Sequence, residues 1–216
     1  MGLVVERVFN VPVIRWKNPW LLMDAIRQDI KPAYVGEENL LTSDFALATI
    51  RRYYDAWTPY ESKILHAMCE LTGLKFRQNI VDVYIAPFRY AFSDPLFLAT
   101  KYESDRVVEV LAHELIHRLL TDNTANHYLT RFADEWRTMF GDEHAFNTLI
   151  HIPVNAVMQG VFEDYVGEPE RIVRDKAMYE DYVDYKAAWQ YVEKVGYKQI
   201  LKQLHGATYP QPKDEK

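Results

Sequence analysis

The chain has 216 residues, 49% of them apolar and 26% charged, with a formal net charge of −6. That apolar fraction can bury a core in one domain and argues against disorder, while the acidic balance argues against nucleic acid or an anionic membrane as partner. Cys69 is the only cysteine, which excludes an internal disulfide framework and a thiolate metal cluster.

In chain order, Met1-Gly2-Leu3-Val4-Val5-Glu6-Arg7 carries an early acid and no long apolar run. Neither a signal peptide nor a membrane span is expected, and the cytoplasm is the default compartment. Helices are expected over 20–30 and 43–72, the second interrupted at Pro59 and stopped by Gly73. Cys69, amid Leu65, Met68 and Leu71, reads as a small core residue. Two β-branched and aromatic runs follow, Asn79 to Ala86, closed by Pro87, and Pro95 to Tyr102, and both are expected as strands.

The next segment carries the chemistry. Ser104 and Asp105 offer an N-cap and a first-turn acid, and Val107, Val108, Leu111, Leu115, Leu119 and Leu120 recur at helical spacing. A buried amphipathic helix over 105–120 follows, with Arg118 in its last turn and Thr121-Asp122-Asn123-Thr124 as its stop. Within it lie His113-Glu114-Leu115-Ile116-His117. Residues four apart share a helix face, so His113 and His117 can hold one metal ion. Glu114 is rotated by about 100° from His113 and stands beside the ion, within reach of a water proton.

With uncharged Leu111 and Ala112 before the motif and Leu115 and Ile116 inside it, this helix resembles the active-site helix of the zincin metallopeptidases over about ten residues. The resemblance implies Zn²⁺ as cofactor, Glu114 as the catalytic base and a peptide or protein as substrate. It also implies a strand above the metal along which extended substrate pairs, a role open to either expected strand.

A catalytic zinc site needs a third protein ligand and an open fourth position. Glu143, with Asn147 four residues on, resembles the Glu-x-x-x-Asp of thermolysin-like gluzincins with Asn in place of Asp. His151, with Asn155 four residues on, resembles the third histidine of the SprT-like proteases; His144 has no such partner. Pro153 belongs in the first turn of a helix, which would begin near 148–151 and present Val154, Val157, Met158, Val161, Phe162 and Tyr165 as far as Gly167. His151 would then stand in that first turn with its imidazole held by Asn155, which favours His151 and leaves Glu143 as the alternative.

Further helices are expected over 128–140 and 177–204, the latter interrupted at Gly196, and the tail 207–216 is expected to be disordered. Tyr179, Tyr182, Tyr185, Trp189 and Tyr191 suit core packing better than a binding platform. The reading is an α+β fold, a single mostly helical domain over 1–206 with a short β-sheet beside the metal helix. Its expected function is that of a zinc-dependent peptidase, with Tyr165, His144 or Tyr128 as candidates for the oxyanion. A non-catalytic zinc-binding or protein-interaction module on the same scaffold is the alternative.

Overall fold

The run Ile80–Ala86 is apolar or β-branched at nearly every position, and it becomes β2, the strand around which the sheet is built. The computed structural model describes residues 10–19, 43–123 and 129–206. β1 (Val13–Lys17) and β4 (Leu96–Ala99) pair parallel with the two sides of β2, and β3 (Phe92–Ser93) pairs antiparallel with β4, in the order β1-β2-β4-β3. The fold is α+β and mostly helical, as the sequence implies.

Two expectations about the sheet change. β2 is an inner strand with both edges paired, so it offers no edge to a substrate. The outer strand beside the metal helix is β3, too short to carry a readable period. β4, in turn, is shorter than its expected run.

The helix expected over 43–72 divides into α1 (Ser43–Trp57) and α2 (Glu61–Thr72) around Pro59. The Trp57 indole N–H bridges the break by donating to Glu61 at 2.8 Å. Gly73 ends α2 at φ 70°, a left-handed geometry that costs glycine no Cβ clash, and its N–H donates to the Cys69 carbonyl. Cys69 is buried, and burial pushes its thiol up to about 11. The helix expected over 20–30, the residue Tyr128 and the tail 207–216 lie outside the described residues.

α3 (Ser104–Asp122) buries Val107, Val108, Leu111, Leu115, Leu119 and Leu120, as well as Ile116. Each such side chain contributes about 1.5–3 kcal/mol to folding. Arg118 stands before the last turn and donates to the Ser93 carbonyl at 3.1 Å and to Asp94 and Gln78, tying the helix to β3.

After α4 (Leu129–Phe140) comes α5 (Phe146–Gly160), which packs against α2, α3 and α4. It begins earlier than expected, because Pro153 lies in its interior rather than its first turn. A mid-helix proline costs about 3 kcal/mol, but α5 is apolar nearly all round, and burial of Leu149, Ile152, Val154, Val157 and Met158 outweighs that cost. A π-helical turn, Val161–Val166, continues it to Gly167 at φ 82°, where the sequence expected the end.

The last expected helix resolves into α7 (Val183–Val195) and α8 (Tyr197–Gly206), broken at Gly196, and a further helix, α6 (Glu170–Met178), precedes them. Both α7 and α8 pack on α5. α6 is fastened to α3 by charge. Arg171, 4% exposed, donates to Glu109 at 3.1 Å, to Asp105 at 2.8 Å and to the Tyr60 hydroxyl at 3.0 Å. Glu109 is fully buried one turn before His113, and burial holds its carboxyl above the usual range in spite of the arginines around it. No helix among the described residues is long and apolar enough to cross a membrane.

Candidate metal centre

The packing of α5 on α3 brings three imidazoles together. The Nε2 atom of His117 lies 3.1 Å from that of His113 and 3.3 Å from that of His151, and the three ligand atoms lie within 4.8 Å of one another. Tetrahedral zinc with bonds of about 2.0–2.1 Å sets its nitrogens about 3.3–3.4 Å apart. The His117–His151 spacing matches that figure, and the His113–His117 spacing is slightly shorter.

The tautomer of His151 follows from its partner. Its Nδ1 lies 2.6 Å from the Asn147 carbonyl, which can only accept, so Nδ1 carries the hydrogen and Nε2 turns a lone pair toward His117. Charge does not hold the trio together. Burial pushes His151 down to about 4 and holds His113 and His117 well below the ordinary histidine range. Three neutral, converging nitrogens are a donor set that suits Zn²⁺.

The carbonyl that holds His151 corrects one expectation. A helical side chain leans toward the N-terminus, so the imidazole at 151 meets the carbonyl of Asn147, one turn before it, and not the amide of Asn155, one turn after it. Asn155 is buried, and its amide atoms make no hydrogen bond among the described residues. The other candidate ligands stay outside. The Glu143 side chain is 71% exposed and sits 3.5 Å from His144, whose ring packs edge-on against Tyr191.

Glu114 stands on the floor of a cleft of about 1040 Å³, next to the trio. Burial pushes its carboxyl up to about 8. The phenols of Tyr102 and Tyr185 are raised first by burial and then by the nearby Glu114 charge, so both stay neutral donors. The Tyr185 ring centroid is 3.9 Å from that of His151, and Tyr179 stacks on Tyr185 at 4.6 Å.

Of the residues expected to face an oxyanion, Tyr165 and His144 do not line the cleft, and Tyr128 lies outside the described residues. The aromatic segment divides instead. Trp189 is in the core, while Tyr179, Tyr182 and Tyr185 line the cleft. Their spacing of three was visible in the sequence, but the break between α6 and α7 that turns them toward the metal site was not. Compared with known proteins, the chain matches no family model, no curated protein and no solved structure.

Proposed function

We propose that the protein is a zinc-dependent metallopeptidase of the zincin type, acting on peptide or protein substrates in the cytoplasm. One observation carries the reading: three neutral imidazole nitrogens converge beside the carboxyl of Glu114 on the floor of an open cleft. Cytoplasmic placement is supported by the single, buried Cys69, a thiol suited to a reducing compartment.

His113, His117 and His151 would hold the metal. When bound, zinc would supply an acidified water, with a pKa of about 7, and positive charge for the carbonyl oxygen under attack. Glu114 takes the proton of the attacking water and returns it to the leaving amine. Tyr185, beside His151, donates its phenol hydrogen to the carbonyl oxygen as negative charge builds there. Phe92 and Tyr182, both on the cleft rim, keep bulk water from the floor.

A second reading, a non-catalytic zinc-binding module, would use the same three imidazoles with no proton transfer by Glu114. Metal analysis and one substitution separate the two. Purified wild type should carry about one zinc ion per chain, and His113→Ala or His117→Ala should lose it. Glu114→Gln should keep zinc and melting temperature while hydrolysis of an unstructured protein falls at least ~10²-fold. Equal activity of Glu114→Gln and wild type would remove Glu114 from the mechanism, and zinc-loaded wild type that cleaves nothing would leave the binding module.

A further inference from the structure

Arg106 lies two helical turns before His113 on the same side of α3 and lines the cleft. Its side chain is 11% exposed. Nη2 donates at 2.9 Å to Asp175, whose side chain is 2% exposed, so the positive charge is already offset. Nε and Nη1 are buried with no hydrogen-bond partner among the described residues, and the Glu109 carboxylate is 3.8 Å from Nη1. Leaving the donors of a buried charged group unmet is costly, so a shift of this side chain that turns either N–H toward the cleft would be favoured by an incoming acceptor. An anion would face Asp175 and Glu109 across a short distance. A neutral carbonyl oxygen meets the same donors without that repulsion.

The dimensions favour a long ligand. Cleft-lining residues of α3 and its cap run from Glu103 to Asp122, so the cleft follows the helix for most of its length. The seven residues from Arg106 to His113 rise about 10 Å along the axis. About three residues of extended chain cover that distance. Met178 and Tyr182 line the same cleft, 45% and 46% exposed, and the Met178 sulfur is 3.1 Å from Nη2 of Arg106. An apolar surface therefore stands beside the unmet donors.

The geometry points to a substrate subsite at this end of the cleft, where Arg106 donates to a main-chain carbonyl of an extended polypeptide about three residues from the bond to be cut, and Met178 and Tyr182 receive an apolar side chain. The position of the cut rests on the peptidase reading; the hold on an extended chain does not.

The test uses two series of labelled peptides around one cleavable bond, lengthened a residue at a time toward the N-terminus in one and the C-terminus in the other. Cleavage is followed with zinc-loaded wild type, and binding by fluorescence anisotropy with metal-free Glu114→Gln. In one series, adding the third residue should improve both kcat/KM and Kd by about 10- to 100-fold, the worth of hydrogen bonds to a charged donor. Arg106→Lys leaves a cation for Asp175 but removes the planar fork, and should shrink that step to about threefold or less at a melting temperature near wild type. A step in binding when no peptide is cleaved would sustain the subsite and remove the peptidase reading. A smooth dependence on length in both series, or a step that survives in Arg106→Lys, overturns the subsite. Where the variant fails to fold, a smooth wild-type series still overturns the subsite.

Discussion

Replacing His151 with alanine tests the metal centre at the point where the fold, and not the motif, completes it. A closed zinc site contributes about 10–16 kcal/mol shared over four ligands. One nitrogen is therefore worth about 2.5–4 kcal/mol, or a 10²- to 10³-fold weaker Kd. The structure gives no reason to discount that figure. Among the described residues no other His, Cys, Asp or Glu joins the cluster, and the Glu143 side chain is 71% exposed and turned to His144. Competition with a chromogenic chelator reads the affinity directly, and thermal unfolding reads it independently. At free zinc about a thousand times the wild-type Kd, binding stabilises the native state by about 4 kcal/mol, and a site weakened about 300-fold keeps about 1 kcal/mol or less. Glu143→Ala should match wild type in both assays. Wild-type affinity in His151→Ala, or an equal loss in Glu143→Ala, would refute the assignment of the third ligand and the converging geometry behind it.

Two further outcomes test the frame that holds the site. Arg171→Met removes the partner of the fully buried Glu109, one turn before His113, and should lower stability by about 3–5 kcal/mol in urea unfolding; a loss under about 1 kcal/mol would show that Arg174, 2.8 Å from the other Glu109 oxygen, suffices. Cys69 is buried with its thiol pushed up to about 11, so a disulfide thiol reagent at pH 8 should leave native protein unmodified and react fully once it is unfolded. Rapid labelling of folded protein would contradict the packing of α2.

What the sequence determined by itself was local. The pairing of His113 with His117 follows from helical spacing alone, and so does the place of Glu114 beside them. Helix ends at Gly73, Gly167 and Gly196 were legible because glycine accepts backbone geometry that other residues resist. The run Ile80–Ala86 announced a buried strand through its β-branched side chains, yet whether that strand lay at an edge depended on β1 and β4, which pair with its two sides. Pro153 misled for a related reason. Its local cost is real, but α5 is apolar nearly all round and packs against α2, α3, α4, α7 and α8, and that packing energy outweighs a rule written for one segment.

The tertiary structure alone decided the rest of the site. His151 stands 34 residues beyond His117, and only the contact of α5 with α3 sets their nitrogens 3.3 Å apart. Tyr185 reaches His151, and Tyr179 stacks on Tyr185, because a break after Met178 redirects the chain, and Arg106 lines the cleft with one of its nitrogens held by Asp175 on α6. Side chains that meet across helices leave no period in any one stretch of sequence. Periodicity records which face of a helix is buried, whereas the identity of the group opposite is set by the free energy of packing the whole core.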